Sequence, residues 1–392
     1  MTTHHLFFSN ELYDGQLERT LGAVYAGMAD LGEAFATAAQ VGKPTPDSWY
    51  DAWSARAAVA EAQAAATDQP AGRRDALLRA SEYHRQSYFF LRHNLDDPRL
   101  LTAYQAHVDT FRAALPLLRW HTEQLSVPFE NHELTAYFFA PDDSGAVRPT
   151  VIMPAGYDST AEEGYAYVAA ALEYGYNAVT FEGPGQGACL YRDRTFFRPD
   201  FAAVLSPVLD AVLALPQVDP AALVLVGRSM AGYLAPQAAA YDHRIAALVC
   251  DPAQPDLAAH IPGGLIGKVA GPVGALQMKV SDDRAEFLGS RMATHGCHTL
   301  GDYLTTLRTF TMIDVADRIS CPTLIIECEG DFAGGNGQAL ADAMTAPVTL
   351  VHLTSAQGAG GHCAGLGQKV WENTVYPWIA DVLSRQNSLV RS

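Results

Sequence analysis

The sequence has 392 residues, 49% hydrophobic and 18% charged, a composition typical of a globular protein that excludes disordered and fibrous classes. Its formal net charge of −17 at pH 7 would repel a nucleic-acid backbone or an anionic membrane surface. We therefore expect a small-molecule ligand, with neither nucleic acid nor membrane as a partner.

The N-terminal residues MTTHHLFFSNELYDG contain no cationic leader, so no signal peptide is predicted. No stretch of the chain approaches the roughly 18 consecutive apolar residues of a membrane span. Six cysteines without a CxxC pair lie mostly in apolar runs, which favours reduced core residues over disulfides or metal ligands. We expect a cytoplasmic protein that binds no metal and no cofactor.

Residues 1–121 are predicted to form a helical domain. From about residue 14 to residue 118 the pattern is helical and rich in alanine and leucine, and four helices fit it. Thr45-Pro46 and Asp97-Pro98 are typical helix starts, because proline suits the first helical position. The stretch RRDALLRASEYHRQSYFFL gathers apolar side chains around one helix face, which we expect to pack against a larger body.

Residues 122–392 show a different pattern, in which short apolar runs predict strands. These runs cover residues 122–127, 133–140, 150–155, 177–182, 222–228, 245–251, 322–328 and 348–353. The first two are close enough for an antiparallel pair, and the longer spacing of the others permits helical crossovers in a mostly parallel sheet. The segment 253–318 is too long for a simple crossover and is predicted to be a cap insertion.

The stretch ALVLVGRSMAG at residues 222–232 predicts a strand that runs into a tight turn and then a helix. This is the geometry of a nucleophile elbow, which exposes Ser229 above the sheet and needs small residues at Gly227 and Ala231. The alternative is a serine in an ordinary turn. The choice depends on finding an acid and then a histidine later in the chain.

The acid and base candidates follow two later strands. Asp331 lies just beyond the predicted strand CPTLIIEC, at the edge of a parallel sheet where catalytic groups collect, and Glu327 and Glu329 compete with it. His362 lies in the glycine-rich loop TSAQGAGGHCAG, whereas His352 lies inside the last strand and is expected to be a core histidine. The sequence therefore predicts Asp331 as the acid and His362 as the base.

Donors for an oxyanion are predicted at two places. The Met230 backbone N–H begins the helix after the serine, and the loop in TVIMPAGYDST offers Gly156 and Tyr157. Glycine lets the backbone approach a substrate, so the Tyr157 N–H is the second predicted donor. With these groups, the serine would attack a carbonyl, the histidine would transfer the proton, and water would release the acyl enzyme.

Two longer stretches, together with the elbow, resemble one family. FEGPGQGACLYRD and DALLRASEYHRQSYFFL are similar to motifs of the α/β-hydrolases that include 2,6-dihydroxypseudooxynicotine hydrolase and the fungal polyketide-shortening hydrolases. The resemblance implies an α/β-hydrolase fold: a mostly parallel eight-stranded sheet with helices on both faces, an N-terminal helical domain and a lid insertion. The chain departs from the family at Glu182, where aspartate is usual, and at Gly156-Tyr157, where a double glycine is usual.

The resemblance also implies hydrolysis of a C–C bond next to a ketone in a β-diketone, aromatic or polyketide-like small molecule, by a homodimer. The helical domain and the insertion would cover the site, with Tyr83 and Phe89 as substrate-binding candidates. Asp251, Asp256 and His260 are candidates to orient the leaving carbon, but a turn or cap role is favoured for each of them.

Two other functions stay open. The same acyl-enzyme chemistry serves an esterase or peptidase, or an acyltransferase or cyclase of natural-product biosynthesis. A non-catalytic binding protein of the same fold is disfavoured, because all three predicted catalytic residues are present.

Overall fold

The computed structural model describes residues 5–259 and 282–390, which fall into two compact units. The helical unit contains residues 5–119 and 282–301, and the sheet unit contains residues 120–259 and 302–390. The sequence placed residues 282–301 in a cap insertion of the second domain. In the structure they pack with the N-terminal helices, where the Tyr13 hydroxyl donates to Glu286 Oε2 at 3.4 Å.

The described α-helices are numbered in chain order. They are α1 (Glu11–Gly22), α2 (Leu31–Val41), α3 (Pro46–Ala65), α4 (Pro70–Tyr88), α5 (Pro98–Ala114), α6 (Tyr165–Glu173), α7 (Gly187–Tyr191), α8 (Ala202–Leu213), α9 (Ala231–Ala239), α10 (Asp282–Thr294), α11 (Leu300–Leu307), α12 (Gly337–Ala343) and α13 (Gln368–Val390). Among them, none combines the length and the apolar character that a bilayer crossing requires.

The predicted helix starts are confirmed. Pro46 is the first residue of α3, and the Thr45 side chain accepts a hydrogen bond from the Ser48 backbone N–H in a capping box. Pro98 likewise opens α5, and Asp97 caps it. These short polar and proline signals fix where the two helices begin.

The predicted number of four helices before residue 119 is wrong, because the structure has five α-helices there. Gly27, with φ 72°, ends the first helical stretch, and the Asp30 side chain caps α2 by accepting from the Glu33 N–H. This break between α1 and α2 lies inside a stretch rich in alanine.

Aromatic side chains form the core of the helical unit. The Trp49 ring lies 5.3 Å from Tyr13 and 5.5 Å from Trp53, and Trp53 lies 5.5 Å from Tyr83. All four are at most 2% exposed. These contacts join α1, α3 and α4 into one hydrophobic core.

The sheet unit is built on eight strands: β1 (His121–Phe129), β2 (His132–Ala140), β3 (Arg148–Pro154), β4 (Asn177–Phe181), β5 (Val218–Arg228), β6 (Ile245–Asp251), β7 (Thr323–Cys328) and β8 (Val348–Leu353). Their spatial order is β1-β2-β4-β3-β5-β6-β7-β8. β2 is antiparallel to β1 and β4, and the remaining pairs are parallel. All eight predicted strands are confirmed, as is the predicted antiparallel first pair.

Both faces of the central strands are buried. Ile152, Leu225 and Leu248 belong to one core cluster that includes residues of α8 and α9. Their chain neighbours Val151 and Val224 point to the opposite face and are no more than 1% exposed. A parallel sheet covered in this way leaves its strand ends as the place for polar loops.

The interpretation of His352 as a core residue is wrong, since its side chain is exposed. Among the described strands β8 pairs with β7 alone and lies at the edge of the sheet, where alternate side chains face solvent.

Candidate active site

The predicted strand, turn and helix around Ser229 are confirmed. β5 ends at Arg228 and α9 begins at Ala231. Ser229 has φ 57°, a left-handed conformation that is unusual for a residue with a side chain. Its N–H donates to the Asp251 carbonyl at 2.8 Å, which ties the turn to the end of β6.

The small residues of the turn are required by close backbone approaches. A Cβ on Gly227 would overlap the carbonyl oxygen of Ala231, and one on Gly232 would overlap the carbonyl oxygen of Pro252. In both cases the obstacle is backbone, which cannot move aside as a flexible side chain can.

Gly232→Ala should destabilise the protein by about 1–3 kcal/mol, because the added methyl group must displace backbone of the next loop. Urea unfolding measures this change. Gly15→Ala in α1 is the control, since a Cβ there meets nothing within 4 Å and alanine favours a helix. Equal unfolding midpoints for wild type and Gly232→Ala would contradict the close approach.

Ser229, His362 and Asp331 form a continuous chain of hydrogen bonds. His362 Nε2 lies 2.8 Å from Ser229 Oγ, and Nδ1 lies 2.8 Å from Asp331 Oδ1. The Asp331 side chain is fully buried, and its Oδ2 accepts from the Cys363 N–H at 3.2 Å. The carboxylate therefore orients the imidazole ring and the backbone that follows it.

The competing acids have other partners. Glu327 accepts from the N–H groups of Gly335 and Gly337, at 2.6 Å and 2.7 Å, and so holds the start of α12. Glu329 accepts from the Ser355 N–H at 2.8 Å. Of the three acids weighed from the sequence, the structure brings Asp331 to the histidine.

Arg228, which was not predicted as a site residue, binds the loop that carries His362. Its guanidinium donates to the Cys363 carbonyl at 2.5 Å and to Gln368 Oε1 at 2.9 Å. It lies over the rings of Tyr167 and Trp371, 4.6 Å and 4.8 Å from their centroids. The sequence does contain a signal that could have identified Arg228, because a charged residue at the end of a buried apolar strand is unusual.

Asp251, considered from the sequence as a ligand-facing group, lies beneath the site instead. It is completely buried, and its Oδ2 is 3.5 Å from Arg228 Nε. Burial raises the pKa of Asp251 to about 6, although the guanidinium opposes the shift.

Asp256 accepts from the Ala258 N–H and therefore caps a turn.

The pKa of His362 sets the expected pH dependence. Burial disfavours its charged form, but the Cys363 sulfur, 3.7 Å from Nε2, and the Asp331 carboxylate outweigh burial and hold the pKa of His362 well above its ordinary value. A base must be neutral, and neutral imidazole predominates only above that pKa. We expect kcat/KM for a non-ionising ester to rise with pH, with its midpoint above about 6.5. A midpoint below that value would contradict this electrostatic arrangement.

The predicted oxyanion donors belong to two segments that adjoin the serine. Met230 directly precedes α9, so its N–H is among the helix-start donors that have no partner within the helix. A methyl group on Gly156 would lie 3.5 Å from Ser229 Cβ and 3.9 Å from Ser229 Oγ, so the loop after β3 passes beside the serine. The Tyr157 ring packs against Phe197 at 5.2 Å, and its hydroxyl lies 3.3 Å from that of Tyr303.

The GPGQG stretch forms the turn after β4. Gly185 and Gly187 have φ values of 85° and 41°, which favour glycine. Glu182, in the place of the usual aspartate, is fully buried and accepts from the N–H groups of Ala161 and Ala188 at 3.1 Å and 2.7 Å. The glutamate side chain, which is longer than that of aspartate, thus links the backbone at Ala161 to the backbone at Ala188.

Asp331, His362 and Cys363 offer ligand atoms that all lie within 4.8 Å of one another, as a metal site would require. Each side chain already has a partner. His362 bonds Asp331 and Ser229, and the Cys363 thiol donates to the Asp251 carbonyl at 3.2 Å. The hydrogen-bond chain to Ser229 accounts for this clustering without an ion.

Two of the three substrate-binding candidates have partners within the helical unit. Tyr83 is fully buried in the helical unit, where its hydroxyl donates to Glu33 Oε2 at 2.7 Å. Phe89 is 9% exposed and lies under the Arg92 guanidinium, 4.0 Å from the ring centroid. His260 lies outside the described residues.

Comparison with known proteins gives matches of several kinds. Residues 151–368 match the alpha/beta hydrolase family, and residues 40–255 match the FrsA-like esterase family. Hydrolyase poxO of Penicillium oxalicum is 39% identical over 258 residues, which cover 62% of this chain and only 61% of that protein. The 20-hydroxy-prefusarin hydrolase FUS2 of Gibberella moniliformis is 31% identical over 358 residues, 84% of each protein.

Among solved structures, that of 2,6-dihydroxy-pseudo-oxynicotine hydrolase has a TM-score of 0.74 at 21% identity, covering 92% of this chain and 95% of that one. The resemblance inferred from the sequence is therefore confirmed, as is the α/β-hydrolase fold with an N-terminal helical region. Because the family match spans more than half of the sequence and the Gibberella relative most of it, the chain belongs to the alpha/beta hydrolase family.

Proposed function

We propose that this enzyme is a serine hydrolase that attacks a carbonyl carbon of a polyketide-like small molecule with Ser229. The observation that carries the proposal is the hydrogen-bond chain from Ser229 Oγ through His362 to the buried Asp331, with 2.8 Å at both steps. The name of the Gibberella relative, a 20-hydroxy-prefusarin hydrolase, supports a substrate of natural-product type.

The reaction begins when His362 Nε2 takes the Ser229 proton while Oγ forms a bond to the carbonyl carbon. Asp331 keeps Nδ1 protonated and stabilises the imidazolium that results. The Met230 and Tyr157 N–H groups receive the oxyanion. When the tetrahedral intermediate collapses, His362 gives its proton to the leaving atom, and an acyl enzyme remains.

We further propose that the leaving atom is carbon. In a β-diketone, the electron pair of the broken C–C bond is stabilised as an enolate by the second carbonyl, and His362 returns the proton to it. Water then cleaves the Ser229 ester with His362 as base. The net reaction adds one water and yields a carboxylic acid and a ketone.

The test uses 1-phenyl-1,3-butanedione in H₂¹⁸O beside an aryl acetate ester. We expect the wild-type enzyme to cleave the diketone and to place one ¹⁸O atom in the acid product, as read by mass spectrometry. If the enzyme cleaves only the ester, the proposal of C–C cleavage is overturned, whereas the serine mechanism still stands. Inertness toward both compounds and toward a fluorophosphonate would overturn the serine mechanism as well.

Ester hydrolysis is the second candidate function. The match of residues 40–255 to the FrsA-like esterase family favours it, and that match spans parts of both units. The chemistry differs only in the leaving atom, which is an alkoxide oxygen in an ester. The same substrate pair distinguishes the two candidates.

A further inference from the structure

The glutamine of the GPGQG turn connects that turn to the loop beside the serine. Gln186 is 1% exposed. Its Nε2 donates to the carbonyl oxygens of Ala155 at 2.5 Å and Gly156 at 2.9 Å, and its Oε1 accepts from the Gly183 N–H at 2.8 Å. The amide therefore uses both of its hydrogens on two consecutive carbonyls of one loop.

Holding a carbonyl also fixes the N–H of the same peptide unit. In a planar trans peptide the C=O and the N–H point in opposite directions. The Gly156 carbonyl belongs to the same unit as the Tyr157 N–H, and the Ala155 carbonyl to the same unit as the Gly156 N–H. With both carbonyls turned toward Gln186, the N–H groups of Gly156 and Tyr157 face away from it.

Gly156 lies beside Ser229, where a methyl group on it would come within 3.9 Å of Oγ. The Ala155 N–H donates to the Phe181 carbonyl at 2.8 Å, so the loop is anchored to β4 one residue earlier. Beyond that anchor, Gln186 supplies the contacts that set the orientation of the next two peptide units. A rotation of either unit would change the direction of its N–H beside the serine.

We propose that Gln186 is a positioning residue that orients the Tyr157 N–H toward the oxyanion, an inference that rests on the proposed serine mechanism. The GPGQG turn then has a role in catalysis although it contains no catalytic residue. Glutamine suits this position because it combines two donors with one acceptor on a short uncharged side chain. Glutamate keeps the acceptor for Gly183 but loses both donors, and methionine loses all three contacts.

The test compares Gln186→Met and Gln186→Glu with wild type. We measure kcat and KM for an aryl acetate ester and the inhibition constant of phenylboronic acid, whose serine adduct is tetrahedral and places an oxygen at the oxyanion position. For both variants we expect kcat to fall by about 10²- to 10³-fold, as when one oxyanion donor is lost. KM should change less than about threefold, and boronate binding should weaken with kcat.

The matched control is Gln237→Glu, because Gln237 is also buried and accepts from a backbone N–H, that of Ala202 at 2.9 Å. It should keep near wild-type kcat. Wild-type kcat in Gln186→Glu would mean that only the Gly183 contact matters and would overturn the inference, as would a lower kcat with unchanged boronate binding. A wild-type enzyme without turnover or boronate binding would instead overturn the proposed serine mechanism.

Discussion

Replacing Ser229 with alanine should abolish labelling by a fluorophosphonate and lower kcat by about 10⁴- to 10⁶-fold, the range seen when a serine nucleophile is removed. Ser229 Oγ lies 2.8 Å from His362 Nε2, so the substitution removes the proposed nucleophile and leaves the side chains of His362 and Asp331 in place. Mass mapping of the labelled wild type should locate the phosphonate on the peptide that contains residue 229.

Ser206→Ala provides the comparison. Ser206 is also partly buried in the sheet unit, but its hydroxyl accepts from Arg244 at 3.0 Å. This variant should be labelled and turn over substrate like the wild type. Label retained by Ser229→Ala, or placed on another residue of the wild type, would show that the nucleophile is assigned incorrectly.

Asp331→Asn should lower kcat by about 10⁴-fold while the fold is retained, because asparagine matches the shape but cannot keep Nδ1 of His362 as the protonated nitrogen. The carboxylate is one of the groups that raise the pKa of His362. Its removal should therefore shift the rising limb of the kcat/KM profile toward lower pH. The measurement is a pH series on wild type and variant with one ester.

Glu327→Gln and Glu329→Gln are the controls, since these carboxylates accept backbone N–H groups of α12 and of the loop after β8. Each should keep kcat within about threefold of wild type and leave the pH midpoint in place, because neither side chain contacts the imidazole. If Glu327→Gln lost activity as Asp331→Asn does, the acid would have been chosen wrongly.

The sequence could predict those features that depend on local patterns. The eight strands follow from short apolar runs bounded by turn residues, and the elbow follows from Gly227 and Gly232 beside a buried strand. Asp331 and His362 could be named because parallel strands bring their carboxyl ends to one edge of the sheet. The predicted helix count was one too low, and one of the breaks that a helical pattern does not show lies at Gly27 and Asp30.

Contacts between distant segments could not be predicted in the same way. Arg228 reaches the Cys363 carbonyl across 135 residues, and Gln186 reaches the Ala155 carbonyl across 31. Both are contacts of a side chain with backbone, so they depend on how strands and loops align in space and leave no pattern in the nearby sequence. The sequence identifies GPGQG as a turn, but it does not show where the Gln186 side chain points.

The left-handed φ of 57° at Ser229 has a consequence for variation at this position. Residues with a side chain take this conformation at a cost of about 1–3 kcal/mol, whereas glycine takes it freely. Variants selected only for folding would therefore drift toward glycine at position 229, and variants selected for turnover would keep serine. Serine at position 229 thus carries a conformational cost that the proposed catalytic role would explain.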